Sequence, residues 1–191
     1  MNKNSERYAA YVQILKEELI PAMGCTEPIA LAYAAAKARE VLAAVPDRVL
    51  IQASGSLIKN VKSVIVPNTG NMKGLEVAAA AGIVAGNPER KLEVISQVSR
   101  SQTAAIQAYV KTTDIRVEHI EDGHVFDIIL TAWAGHSSVK VRISDYHTNI
   151  VRIEKNGEAV FEQKEEEGQS GAVTDRSLLN LADIYDFANT C

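Results

Sequence analysis

Cysteine is nearly absent from this sequence. Cys25 and Cys191 are the only two among 191 residues, too few for a disulfide framework. Aromatic residues are also scarce, at 5% with a single tryptophan, so any core must be built mainly from Ala, Val, Ile and Leu. Neither sign of charge dominates. The formal net charge is -4 and the basic residues do not cluster, which removes the electrostatic footprint of a nucleic-acid binder. Apolar runs are short and interrupted, and the polar start Met1–Arg7 is not followed by a signal-peptide core. The expectation is a soluble cytoplasmic protein with neither a nucleic acid nor a membrane as partner. What the chain does have is 47% hydrophobic residues, enough for a sizeable core in one large domain or one domain with a small appendage.

Tyr8, Tyr11, Val12, Leu15 and Leu19 recur at helical spacing and predict a first amphipathic helix that Pro21 and Gly24 end or loosen. Thr26 reads as the N-cap of a second, alanine-rich helix reaching about Ala44, with Glu27 and Pro28 in its first turn. Val49–Ala53 and Val61–Val66 read as strands flanking a loop from Ser54 to Asn60. The turn-rich Pro67–Gly74 opens a third helix, Leu75–Ala85, stopped by Gly86-Asn87-Pro88, and more helix is predicted from about Pro88 to Lys111 with a kink near Ser99–Ser101. Alternation then takes over. Ile115–Ile120 and Val125–Ala134 read as a hairpin turning at Asp122-Gly123, Val139–Ile143 as a further strand, and Ile150–Glu154 with Ala159–Glu162 as a hairpin turning at Asn156-Gly157. Lys164-Glu165-Glu166-Glu167-Gly168 reads as a solvated linker before a last helix. With no regular β-α-β alternation, the prediction is an α+β fold, helices packed on mostly antiparallel sheet. A helical or mixed portion over 1–113, a β-rich portion over 114–163 and a final helix over 176–191 divide the chain.

The stretch richest in chemistry is Met23-Gly24-Cys25-Thr26-Glu27-Pro28. A cysteine at a helix N-terminus meets the positive end of the helix dipole and free backbone N–H groups, which favour the thiolate. A structural reading stands beside it, with Cys25 a small packed residue, Thr26 a cap and Glu27 a first-turn charge.

Gly24-Cys25-Thr26-Glu27-Pro28 resembles the signature near the start of the L-cysteine desulfidase family, which is related to the α chain of iron–sulfur L-serine dehydratase. Lys59-Asn60, Val66-Pro67-Asn68-Thr69-Gly70 and His147-Thr148-Asn149-Ile150-Val151 resemble further motifs of that family in the same order. The resemblance covers the N-terminal part of the family pattern only. It implies a 4Fe–4S cluster held by three cysteines, one iron being left open as a Lewis acid. Cys25 would be one cluster ligand, and the activity β-elimination of L-cysteine to sulfide, ammonia and pyruvate. Lys59, Asn60, Asn68, Thr69, Gly70 and Thr148 fall in matching motifs as substrate-binding residues. His147 would be either the catalytic base or a residue fixing a turn between strands. The Asn68-Thr69-Gly70 turn would suit a substrate carboxylate, or simply cap the third helix.

Family members are considerably longer and their remaining cluster cysteines lie beyond this pattern; Cys191 matches none of them. The resemblance therefore implies an N-terminal fragment, inactive alone, whose partners are a small amino-acid substrate and the C-terminal half of the same protein. A serine dehydratase and a metal-free amino-acid-binding or assembly domain are the alternatives. Apolar surface left uncovered predicts self-association into a homo-oligomer. His119, His124 and His136 share no spacing and read as surface or turn residues.

Overall fold

A computed structural model describes residues 1–121, 123–163 and 174–190. In chain order the elements are α1 (Glu6–Glu18), α2 (Thr26–Leu42), β1 (Arg48–Ser54), α3 (Gly55–Val61), α4 (Leu75–Ala85), α5 (Arg100–Thr112), β2 (Asp114–Ile120), β3 (Asp127–Ala134), β4 (Ser137–Ser144), β5 (Ile150–Lys155), β6 (Glu158–Glu162) and α6 (Leu181–Ala188). Short 3-10 turns occupy Pro88–Glu93 and Arg176–Leu178. The chain divides into two compact units, Met1–Pro21 with Lys164–Cys191, and Ala22–Gln163.

The larger unit is helices on one sheet, of the α+β class that the loss of β-α-β alternation predicts. The strand order is β2-β1-β3-β4-β5-β6, and only the β1–β2 pair is parallel. Register lines up Val117, Ile51, Leu130, Val141, Ile153 and Phe161 in one row across all six strands. Cross-strand partners share a face, so this row forms an apolar floor, and Ile51, Leu130 and Val141 are fully buried.

Helix α2 lies over that floor. It is buried without a break from Pro28 to Ala36, because alanine on every side lets neighbours approach closely. At Gly82 of α4 an added Cβ would stand 2.0 Å from the backbone oxygen of Ala32, so the two helices nearly touch through their backbones. Only glycine fits there.

Four local expectations are corrected. Ser54–Asn60 is not a loop: α3 forms there because Leu57 and Val61, one helical turn apart, are both buried. Val61–Val66 is consequently no strand. Val61 ends the helix, and only a single bridge, Ile65 to Lys73, follows. The predicted helix from Pro88 to Lys111 is broken, since Lys91 has a non-helical backbone and Ser99 starts α5 afresh with a reciprocal capping box to Gln102. Finally, β2 and β3 are not a hairpin. β1 inserts between them, because its apolar residues need a partner strand on both edges.

The hairpin at Asn156-Gly157 forms as predicted, both residues holding positive φ (53° and 87°), which those residue types tolerate. The linker Lys164-Glu165-Glu166-Glu167-Gly168, Asp122 of the supposed turn, and Cys191 lie outside the described residues.

In the smaller unit, Phe187 of α6 packs against Tyr8 and Tyr11 of α1, ring centroids 5.1 and 5.3 Å away. Arg7 pairs with Asp183 at 2.7 Å, and Glu17 receives both Arg176 (2.8 Å) and the Thr174 hydroxyl (2.8 Å). No helix of the described residues is long and apolar enough to cross a membrane.

Candidate functional site

The start of α2 gathers side chains from three other segments. Cys25, not Thr26, is the N-cap, and its side chain makes no capping bond. That frees Thr26, whose hydroxyl lies 3.0 Å from Nε2 of His147 in the turn between β4 and β5. Gly24 precedes them at φ +148°, and a Cβ there would meet Pro67 at 3.4 Å, which sets the 67–70 turn against the same helix end.

Glu27 is the hub. Asn60 of α3 donates its amide to one carboxylate oxygen at 2.8 Å, and the Cys25 thiol lies 3.5 Å from the other. Phe126 packs against His147 in a tilted arrangement, ring centroids 4.5 Å apart. The turn carrying His147 is closed by Asn149, which donates its side-chain amide to the Ser144 carbonyl at 3.0 Å.

Electrostatics run against the expected thiolate. Partial burial and the neighbouring Glu27 carboxylate push the Cys25 thiol up, and the single backbone N–H of Glu27 does not reverse this. The group at the helix N-terminus is therefore a thiol at neutral pH. Burial likewise pushes His147 below its ordinary value, opposed by the charge of Glu27, and leaves a neutral imidazole.

The residues singled out from sequence separate into two places. Cys25, Asn60 and His147 meet around Glu27. Lys59 is exposed on α3, one residue before Asn60, and Thr148 is part-buried beside His147. Asn68 and Gly70 instead line a separate cleft facing α5. Thr69 is buried and donates its hydroxyl to the Val66 carbonyl at 2.7 Å, pinning the turn. His119 packs against the start of α3 near Gly55, His124 pairs with Asp145 at 2.7 Å, and His136 sits exposed in the β3–β4 turn. Sequence reading missed Phe126 and treated Glu27 as a plain first-turn charge. The Glu27 role had a faint signal in its spacing from Cys25; the Phe126 role had none, because only the pairing of β3 with β4 brings it beside His147.

Fold and site together define an α+β protein with a cluster of polar side chains at a helix N-terminus. Across its whole length the chain is 50% identical to a UPF0597 protein of Desulfitobacterium hafniense and 42% identical to one of Treponema denticola, covering 44% of each. Another, from Lachnoclostridium phytofermentans, is 42% identical over 95% of this chain and 43% of its own length. The chain thus spans less than half the length of the curated relatives it matches. No family model and no solved structure matches.

These relatives correct the family resemblance. The proteins this chain is similar to from end to end carry the UPF0597 name, not that of an L-cysteine desulfidase or a serine dehydratase. The reading as a fragment of a 4Fe–4S lyase falls with it. The donor set does not fit such a cluster either. Among the described residues Cys25 is the one cysteine, and no group of three or more His, Cys, Asp or Glu side chains is placed to hold a metal ion. The short Cys-Thr-Glu-Pro motif misled because its residue types serve a helix start equally well.

Proposed function

We propose that the start of α2, with α3 and the β4–β5 turn, forms one wall of a binding site for a small α-amino acid. The observation that carries this reading is Glu27. Its part-buried carboxylate takes hydrogen bonds from Asn60 and Cys25, yet no lysine or arginine pairs with it among the described residues. A carboxylate without a counter-charge is an open partner for a ligand ammonium group, which it meets in a charge-assisted hydrogen bond. Lys59, next to Asn60 on α3, also has no carboxylate partner among the described residues and is suited to the ligand carboxylate. Neutral His147, held by Thr26 and Phe126, offers a ring nitrogen for a further hydrogen bond.

A cytoplasmic setting goes with this reading. So does an assembly partner, either a second copy or a segment like the remainder of the longer relatives, to cover exposed apolar side chains such as Phe161. The test is calorimetric titration of the purified chain with each common amino acid. Saturable binding weakened about tenfold or more by Glu27→Gln is the expected outcome. Absence of saturation by any amino acid up to about 10 mM, or affinity untouched by Glu27→Gln, would sink the reading.

A further inference from the structure

A cleft of about 350 Å³ opens between the 68–70 turn and the beginning of α5, lined by Asn68, Gly70, Val98, Arg100 and Thr103. Its volume is that of a small-metabolite site. Among the described residues its lining carries one charged side chain, the Arg100 guanidinium, and no carboxylate.

Arg100 stands apart from the other arginines. Each of the others among the described residues donates to a carboxylate, carbonyl or hydroxyl oxygen, or lies over the Trp133 ring. Arg100, exposed at the start of α5, alone has no side-chain hydrogen bond, ion pair or ring contact among the described residues. The remaining polar groups of the lining are already committed to the walls. Asn68 donates its amide to the Ile95 carbonyl at 3.0 Å, and the Thr103 hydroxyl donates to the Asn68 carbonyl at 3.0 Å. These bonds tie the turn to α5 and hold the two sides of the cleft at a fixed separation. The floor is kept open by Gly70, which sits at φ +76°. A Cβ there would come within 3.0 Å of the Gln107 amide and 3.3 Å of the Thr103 methyl.

From this geometry we infer that the cleft is a second binding site, distinct from the wall around Glu27, for a small ligand bearing an oxyanion. The guanidinium presents paired N–H donors that match a carboxylate or a phosphate group in a bidentate contact. Val98 supplies the apolar contact that a carbon skeleton next to that anion needs. The inference goes beyond the amino-acid reading and does not depend on it.

The probes are inorganic phosphate and malonate, titrated separately into the intact chain at constant ionic strength and followed by calorimetry and by amide chemical shifts around Gly70 and Thr103. The wild-type chain is expected to saturate with at least one of the two, and Arg100→Gln to weaken that binding about tenfold or more. Arg100→Lys should retain part of it, and Lys111→Gln, an exposed charge later on the same helix, should leave it unchanged. Tighter phosphate binding identifies a phosphorylated metabolite, and tighter malonate binding a carboxylate one. The inference is overturned if neither anion saturates by about 10 mM, or if Arg100→Gln and Lys111→Gln bind like wild type. Glu27→Gln should not alter anion affinity, so failure of the amino-acid reading and failure of this one leave different signatures.

Discussion

The two compact units of this chain are held by different forces. In the unit of Ala22–Gln163, α2 and α4 bury alanine against alanine over a floor of Ile, Val and Leu, and its core side chains are almost wholly withdrawn from water. In the unit of α1 and α6, one phenylalanine between two tyrosines is accompanied by ion pairs: Arg7 with Asp183, Arg176 with Glu17 and Glu18, and the terminal ammonium with Asp186. Large apolar side chains such as Leu181 and Tyr185 stay exposed there. Dense packing makes the first unit the more sensitive to lost or added volume, although it too holds a buried ion pair, Asp127 with Arg142. The charged pairs around Glu17 make the second unit the more sensitive to acid.

The largest effect should come from breaking the packed unit at its tightest point. Gly82→Val puts three carbons where even one would stand 2.0 Å from the Ala32 carbonyl oxygen. Helices α2 and α4 must then move apart, at a cost of about 3 kcal/mol or more. Thermal melts by circular dichroism should show the main transition lost or sharply lowered. A melt close to wild type would mean that the two backbones do not approach so closely in solution.

A medium effect should appear in the charge-held unit on acidification. Arg176, with help from Thr174, holds the Glu17 carboxyl down to about 2, against an ordinary value of 4.5. The folded state thus binds the proton more weakly than the unfolded chain. The stabilisation is complete above 4.5 and is lost as pH falls from there toward about 2. The protection factors of α1 amides, corrected for the intrinsic exchange rate at each pH, should therefore fall between pH 5 and pH 3, and Glu17→Gln should flatten that dependence. An equal fall in the protection of α2 would erase the contrast between the units.

The smallest effect sharpens the comparison at a place in the packed unit where charge acts on a thiol. Cys25 should alkylate slowly with iodoacetamide at pH 8, since its thiol is pushed up by burial and by Glu27. Glu27→Gln should speed the reaction several-fold. A rate unaffected by that change would mean that burial alone sets the thiol.

How far the fold was legible follows the same division of forces. Helix α4 was readable to the residue, because Gly74 and Gly86-Asn87-Pro88 bracket an unbroken apolar run and its stop signals are local. The α+β class was readable from the change of periodicity after Thr113. The insertion of β1 between β2 and β3 was not, because nothing in a strand's own pattern names its neighbours. A glycine-containing turn after β2 was an attractive but false hairpin signal, and Gly123 instead sits 3.1 Å (from an added Cβ) from the buried Asp127 carboxylate, which Arg142 grips with two hydrogen bonds. At the site, Cys25 and Asn60 were visible as residues worth following. Their meeting point at Glu27 was hidden, since it depends on α3 being a helix rather than the loop its small polar residues predict. The lack of a partner for Arg100 among the described residues was equally invisible, because only the set of pairings shows which arginine has none.

The placement of β1 also constrains how the protein can be made. Both strands that flank it, β2 and β3, leave the ribosome only after Asp114, so the strand emerges with two open edges and neither partner yet synthesised. At roughly 5–20 residues per second this interval lasts several seconds. During it, Val49, Ile51 and Ala53 have only the already emerged α2 and the growing α3 and α4 to shelter against, which makes early docking of the alanine-rich helices the nascent chain's guard against aggregation.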